Sequence, residues 1–306
     1  MRPDQAHNLR TIAEEQRLNA HRQSGPARCR VITITGGKGG VGKTTCAVNL
    51  SLALQAMGLR TLLFDADISL ANVDVMLNLN PGLGLPQVLR GECALYSVIA
   101  EGPLGLHLLP GGNGLAEFAS LGSLQLVYLL GELRALEQSY DVLVVDTAAG
   151  IGATVTSFCQ FANDVVIVSM PEPTAMLDAY GLLKAMAATQ PAGRLSLLMN
   201  MVRGPQEGEA AWRPLAQTVK KYLGLDLELI GSIPDDPVVA RCIRQQKPFY
   251  IEDPHCLASR HLRDIAMRLL RQGPQASAPA QSFFASVLES LTISKPFEGE
   301  AGESTG

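Results

Sequence analysis

A glycine-rich segment between Gly36 and Gly42 constrains the fold of this chain more than any other feature of its sequence. The β-branched run Val31 to Thr35 before it predicts a buried strand, and Ala47 to Met57 after it predicts a helix. Two glycines five positions apart, followed by Lys43 and Thr44, fit the phosphate-loop pattern. Such a loop presents backbone N–H groups, a helix N-terminus, a lysine and a hydroxyl to a polyphosphate and its Mg²⁺. The segment therefore predicts a nucleotide site.

Composition is consistent with one large α/β domain. The chain has 306 residues, of which 47% are hydrophobic and 18% are charged, which is enough for a sizeable core. Strand patterns alternate with helical patterns and hairpin signals are absent, so we expect a single doubly wound, mainly parallel sheet with helices on both faces. The net charge of −4 and an aromatic content of 5% provide neither a basic field nor stacking platforms, so nucleic acid is not an expected partner.

The cysteines and the polar N-terminal segment indicate a cytoplasmic protein. Six cysteines occur without C-x-x-C pairs or histidines at metal-site spacing, so we interpret them as buried thiols in a reducing compartment. The first thirty residues contain no apolar core, so no secretory signal is expected. No apolar run reaches transmembrane length.

Carboxylates follow two predicted strands, at the edge of the sheet where open α/β proteins bind their ligands. Asp65 and Asp67 come after the strand Thr61 to Phe64, and Asp146 ends an apolar strand that begins after Asp141. Beside a phosphate loop, such groups can accept hydrogen bonds from Mg²⁺-bound water or orient an attacking water. A simple strand-end turn is the alternative for Asp65 and Asp67.

Asn200 is a further polar residue at a strand end, because it closes the predicted strand Leu195 to Asn200. Its carboxamide offers donors and an acceptor in one plane, which suits the edge of a nucleobase. The alternative is an asparagine that caps the strand in a turn. Further on, Pro234 to Pro237 predicts a rigid turn into a helix.

The two ends of the chain carry their own patterns. We divide the sequence into an N-terminal helical arm (residues 1–27), a nucleotide-binding domain (28–271), a linker (272–281) and a C-terminal amphipathic helix with a disordered tail (282–306). The last helix predicts either a membrane-surface helix or docking on the protein's own domain, since its polar face lacks the Lys and Arg of typical interfacial helices. Its apolar face consists of Phe283, Phe284, Val287, Leu288 and Leu291.

The segment KGGVGKTT closely resembles the deviant phosphate loop of the MinD and ParA family. The resemblance runs from Val31 to Arg271 and implies a MinD-like phosphate-loop NTPase fold, ATPase activity, and ATP and Mg²⁺ as cofactors. In that family the early lysine, here Lys38, crosses a dimer interface to the nucleotide of the other subunit, so the resemblance implies a homodimer when ATP is bound. The residues implied to contact the phosphates are Gly37, Lys38, Gly39, Gly40, Val41, Gly42, Lys43, Thr44 and Thr45.

The same resemblance implies roles for the strand-end carboxylates. Asp67 would position the attacking water in switch I, and Asp65 would help to hold the Mg²⁺ shell with Thr44 and Asp146. Asp146 opens switch II, which the family writes as D-[ST]-P-A-G; here Ala148 replaces the proline, which predicts a looser turn.

For the base, the resemblance implies that Asn200 reads the adenine and that Pro234 and Asp235 form its wall. For the chemistry, it implies a catalytic set made of Lys38, Lys43, Asp67 and Asp146.

The N-terminal segment DQAHNLR is similar to the DQAxxLR activator segment of the FlhG (FleN) family of flagellar-number regulators. In that family the segment stimulates a partner GTPase of the FlhF type. The matching residues are Asp4, Gln5, Ala6, Leu9 and Arg10. The C-terminal helix resembles the membrane helix of MinD and FlhG proteins, which implies peripheral binding to the inner face of the cell membrane.

Together these resemblances imply an ATP-dependent dimerisation switch with slow hydrolysis that sets the number or placement of flagella. Flagellar switch (C-ring) proteins or a flagellar transcriptional regulator are implied as further partners. The alternative is a ParA-like positioning ATPase that acts on DNA. That function requires a basic surface patch, whereas this acidic chain scatters its Lys and Arg residues.

Overall fold

A computed structural model describes residues 29–67, 72–111, 123–273 and 282–293. Within these ranges eight strands form one sheet, in the order β3-β4-β2-β5-β1-β6-β7-β8. The strands are β1 Arg30–Thr35, β2 Thr61–Ala66, β3 Ala100–Glu101, β4 His107–Pro110, β5 Val142–Thr147, β6 Asp164–Ser169, β7 Arg194–Val202 and β8 Glu228–Pro234. The α-helices are α1 Lys43–Ala56, α2 Val73–Leu77, α3 Leu85–Leu89, α4 Ser123–Gln138, α5 Ala153–Phe161, α6 Pro173–Thr189, α7 Pro205–Leu223, α8 Pro237–Arg244, α9 Phe249–Glu252, α10 Leu257–Arg271 and α11 Phe283–Ile293.

The sheet confirms the predicted mainly parallel architecture. The seven neighbouring strands β4-β2-β5-β1-β6-β7-β8 pair in parallel. Within the described ranges only the short edge strand β3 pairs antiparallel, with β4. That hairpin was missed because its turn holds Leu104 and Gly105 at φ 58° and 76° instead of an Asn-Gly or Asp-Gly pair.

Helices cover both faces of the sheet and enclose two apolar cores. Successive strand residues point to opposite faces, so Val31 lies in one core and Ile32 in the other. The first core lies under α3 to α7 and α11, and the second lies under α1, α2, α9 and α10. The result is the predicted doubly wound layering.

One helix begins earlier than predicted. The pattern predicts a helix from about Met176, whereas α6 begins at Pro173. Proline is favourable at the first helical position because the missing N–H would be unpaired there in any case. The start of α6 lies beside the phosphate loop, since the Thr174 hydroxyl is 3.1 Å from the Lys38 Nζ.

The C-terminal helix α11 docks on the domain. Phe283, Phe284, Val287 and Leu288 are buried, and Leu291 is half-buried against the same core. The Phe284 ring packs edge-on against Phe64 of β2, with ring centroids 5.5 Å apart. Of the two predicted arrangements of this helix, the structure shows docking on the protein's own domain. Within the described ranges, no helix combines the length and apolar character that crossing a bilayer requires.

Candidate nucleotide site

The strand order brings the predicted phosphate loop and both carboxylate segments to one edge of the sheet. β5 lies between β1 and β2, and its register pairs Asp146 with Ile34 on one side and with Asp65 on the other. The loops that follow these three strands therefore leave the sheet side by side. This is the carboxyl edge, where parallel α/β sheets bind their ligands.

The phosphate loop has the backbone that its glycines allow. Gly42 has φ 91° and caps the N-terminus of α1, a left-handed conformation that glycine adopts without strain. A Cβ at Gly42 would overlap the amide nitrogen of Asn200, and one at Gly37 would overlap the carbonyl oxygen of Asp178. Both positions require glycine, because the loop packs directly against β7 and α6.

Lys43 is held at the centre of the site. Its side chain is mostly buried, and its Nζ donates a hydrogen bond to the carbonyl oxygen of Lys38, 3.3 Å away. Burial lowers the pKa of Lys43, while the nearby charges of Asp146 and Asp67 act in the opposite direction. Thr44 and Thr45 follow in the first turn of α1, where backbone N–H groups point toward the loop. This arrangement suits a polyphosphate.

Asp146 is a buried carboxyl group that lacks a hydrogen bond of good geometry in the described protein. It is 1% exposed, and neither of its oxygens has a hydrogen-bond partner of good geometry within the described ranges. Burial raises its pKa to about 8, although the nearby Thr44 hydroxyl and Lys43 lower it. Such a group is costly to bury unless something else pairs with it. A Mg²⁺ ion with its water shell fits the requirement, since hard oxygen ligands are what Mg²⁺ prefers.

Asp65 lies beside it and holds the chain that follows β2. Its Oδ1 accepts a hydrogen bond from the Asp67 N–H at 3.2 Å, and its Oδ2 is 3.5 Å from the Val73 N–H. Burial raises the pKa of Asp65 to about 6, and these two N–H groups act against that rise. Asp67 itself lies just past the end of β2, half-buried and near Lys43. The pair therefore lies at the carboxyl edge of the sheet near Lys43, and its roles at Mg²⁺ and at the attacking water stay predictions.

Lys38 contacts its own chain in this structure. Its Nζ is 3.1 Å from the Thr174 hydroxyl and 3.9 Å from the Glu172 carboxylate, both at the start of α6. The lysine side chain remains partly exposed. The predicted role of Lys38 at a second subunit's nucleotide therefore requires these contacts to break.

The residues predicted for the base lie around the mouth of the loop. Asn200 is buried, and its Nδ2 donates to the Val41 carbonyl at 2.9 Å, so its carboxamide contacts the phosphate loop. A second N–H and the amide oxygen remain as further hydrogen-bonding groups. Pro234 pairs with Val202, and the Asp235 N–H donates to the Val202 carbonyl at 2.9 Å. The three predicted residues thus lie at the ends of the neighbouring strands β7 and β8.

Three residues at the site were not predicted. Glu172 and Thr174 bind Lys38, and Met201 lies exposed beside the loop with φ 55°. A proline-rich turn and a lone methionine carry no local signal of these contacts. The residues predicted for GTPase activation, Asp4 to Arg10, lie outside the described ranges.

Comparison with known proteins gives a consistent set of relatives. The AAA domain family (AAA_31) matches residues 29–197. The antiactivator FleN of Pseudomonas aeruginosa is 40% identical over 240 residues, which is 78% of this chain and 86% of that protein. The flagellum site-determining protein YlxH of Helicobacter pylori is 35% identical over 238 residues, which is 78% of this chain and 80% of that protein.

Among solved structures, the septum site-determining protein MinD of Pyrococcus horikoshii, complexed with Mg-ADP, has the same fold. It superposes with a TM-score of 0.63 at 24% identity and covers 79% of this chain and 96% of that protein. The likeness confirms the MinD-like fold that the phosphate loop predicted.

Proposed function

This chain belongs to the MinD/ParA family of ATPases, in the group of the flagellar regulators FleN and YlxH, and from that premise we propose that it is an ATP-dependent dimerisation switch that controls the number or placement of flagella. The ATPase site carries this proposal through one observation. Asp146 is fully buried near Lys43 and Thr44, and neither of its oxygens has a hydrogen bond of good geometry in the described protein, which a Mg²⁺-nucleotide complex would satisfy.

We assign the chemistry to residues that the fold brings together. Lys43 and the N–H groups of the loop bind the phosphates, and Thr44 and Asp146 hold the ion and its water, with Asp65 beside them. When bound, Mg²⁺ neutralises charge that develops on the transferred phosphoryl group. Asp67 orients the attacking water. Hydrolysis is slow in this proposal, because the second cation, Lys38, is held by Thr174 and Glu172 until a partner subunit arrives.

Dimerisation is supported by apolar side chains at the same edge of the sheet. Ile151 in the switch II turn, Leu177 in the first half of α6 and Val127 in the first half of α4 are each more than 60% exposed. Helices that follow parallel strands begin at the carboxyl edge, so all three lie toward the edge of the sheet that carries the nucleotide site. Exposed apolar residues grouped around a site are typical of a contact surface. A second copy closing face to face would cover them.

Membrane binding belongs to the same proposal and requires α11 to leave its groove. Each of its buried large apolar side chains contributes about 1.5–3 kcal/mol to docking. Insertion into a membrane interface returns a similar amount per residue, since both environments are apolar. We propose that dimerisation with bound ATP shifts α11 from its groove to the membrane. The side chains that would then lie on the inner face of the membrane are Phe283, Phe284, Val287, Leu288 and Leu291.

The flagellar assignment is tested by the GTPase rate of an FlhF-type protein mixed with this full-length chain. We expect stimulation by the wild type and its loss in Gln5→Ala, because Gln5 is part of the DQAxxLR match. Asn8→Ala is the matched control, since position 8 is variable in that motif. No stimulation of a cognate GTPase would contradict this partner assignment and leave the ATPase switch in place. Equal losses in both variants would show that the motif residues are not what the partner reads.

A further inference from the structure

Met201 is a bulky residue in a conformation that bulky residues avoid. Its φ of 55° lies in the left-handed region, which unbranched side chains enter at a free-energy cost and glycine enters freely. It is also 40% exposed, although it follows the buried Asn200 at the end of β7. The pairing of β7 with β8 is irregular between Met199 and Val202, and this irregularity turns Met201 outward. Strained backbone of this kind is frequent at binding sites.

The strained backbone places the Met201 side chain beside the phosphate loop. The Met201 methyl carbon lies 3.9 Å from where a Cβ on Gly42 would stand, so the thioether lies over the end of the phosphate loop. On one side Asn200 is hydrogen-bonded to the Val41 carbonyl. On the other side the Pro234 turn is joined to Val202 by a backbone hydrogen bond from Asp235. Met201 therefore lies between the polar and the rigid residues predicted to surround a base.

We propose that Met201 is the platform on which the purine ring of the bound nucleotide rests. This inference deepens the proposed ATPase function and rests on it. A methionine sulfur is polarizable and packs well against aromatic faces. Such a contact reads the flat face of a ring and not its hydrogen-bonding edge, which Asn200 can read. Met201 accordingly contributes affinity for the base, and it contributes nothing to binding of the phosphates.

The test separates the side chain from the strain. Met201→Gly in the full-length protein removes the thioether and relieves the left-handed cost, whereas Met201→Leu keeps an apolar side chain and the strain. We expect Met201→Gly to weaken ADP binding about five- to tenfold by calorimetry, while its affinity for pyrophosphate, which has no base, stays unchanged. Its melting temperature should be no lower than that of the wild type. Met201→Leu should bind ADP within about twofold of the wild type.

Leu104 provides the matched control. It too has a left-handed φ, 58°, and is exposed, but it lies in the β3–β4 hairpin. Leu104→Gly should therefore match Met201→Gly in melting temperature and match the wild type in ADP affinity. Unchanged ADP affinity in Met201→Gly would overturn the inference, as would equal losses for ADP and pyrophosphate. A wild type that binds neither ADP nor pyrophosphate would overturn the proposed ATPase function as well.

Discussion

The nucleotide edge of the sheet and the groove that holds α11 satisfy their buried polar groups in opposite ways. At the nucleotide edge, the Asp146 carboxyl is buried without a partner of good geometry in the described protein. In the groove, the Glu137 carboxylate accepts hydrogen bonds from the Phe283 and Phe284 N–H groups at 3.2 and 2.8 Å and from the Ser282 hydroxyl at 2.7 Å. We propose that a bound ligand satisfies the buried carboxyl of the first region, whereas the protein itself satisfies that of the second.

The comparison shows that burial alone does not identify a binding site. Burial raises the pKa of both Glu137 and Asp146. Glu137 lies at the N-terminus of α11, where backbone N–H groups favour a carboxylate, so it fixes one end of a docked helix. Asp146 has no hydrogen bond of comparable geometry within the described ranges, although the nearby Thr44 hydroxyl lowers its pKa. A raised carboxyl pKa therefore indicates a functional site more strongly when the carboxyl also lacks hydrogen bonds of good geometry, as Asp146 does and Glu137 does not.

The largest expected effect comes from removing the Lys43 cation at the nucleotide edge of the sheet. Lys43→Ala should abolish measurable nucleotide binding, a loss of about a hundredfold or more, because it leaves phosphates and buried carboxylates without a counter-charge. Calorimetric titration with ADP and Mg²⁺ measures it. Lys184→Ala, an exposed lysine on α6, is the control and should bind as the wild type does. Retained binding in Lys43→Ala would mean that the phosphates bind elsewhere.

Asp67→Ala separates ATP hydrolysis from nucleotide binding at the nucleotide edge. We expect phosphate release at saturating ATP to fall about a hundredfold while nucleotide affinity stays within a few-fold, because the variant loses the group that we propose orients the attacking water. Equal ATPase rates in the variant and the wild type would refute the role of Asp67.

Phe284→Ala tests whether α11 is docked in its groove. Truncating an aromatic side chain in a packed core costs about 3–5 kcal/mol, and we expect that loss in urea unfolding, with ADP affinity unchanged. Glu289, on the exposed side of α11, is the control, and Glu289→Ala should change stability by less than about 0.5 kcal/mol. If both variants are equally stable, α11 does not occupy its groove in solution.

A smaller effect concerns protons at Asp146. Its pKa in the folded, ligand-free protein is raised from 3.8 to about 8, so it favours folding below pH 4 and that contribution is lost as the pH rises through 8. Binding of Mg²⁺ and nucleotide requires the ionised form of Asp146. Binding should therefore release about one proton per protein at pH 7 and much less than one at pH 9, where the carboxyl is already mostly ionised. Calorimetry in buffers of different ionisation enthalpy measures this release. Asp146→Asn should abolish it, and an unchanged release in that variant would assign the proton to another group.

The sequence was sufficient to predict the features that depend on local pattern. The phosphate loop, the parallel sheet and the strands that carry Asp65 and Asp146 follow from glycine spacing and apolar runs. Features that depend on a distant partner were not predicted. The groove for α11 is built from β2, α4 and α5, so no pattern within α11 could decide between membrane and docking. The left-handed Met201 depends on a mismatch between β7 and β8, and the hold on Lys38 depends on the early start of α6.

The central claim is that ATP joins two copies of this chain through the nucleotide edge, and sedimentation velocity tests it most directly. The Asp67→Ala variant with ATP and Mg²⁺ should sediment as a dimer, since it binds without turnover, and with ADP it should sediment as a monomer. Adding Lys38→Ala to that variant should restore the monomer in ATP, because we propose that Lys38 reaches the partner's phosphates. A sedimentation coefficient that is the same with ATP and ADP, or a dimer that survives loss of Lys38, would contradict the account.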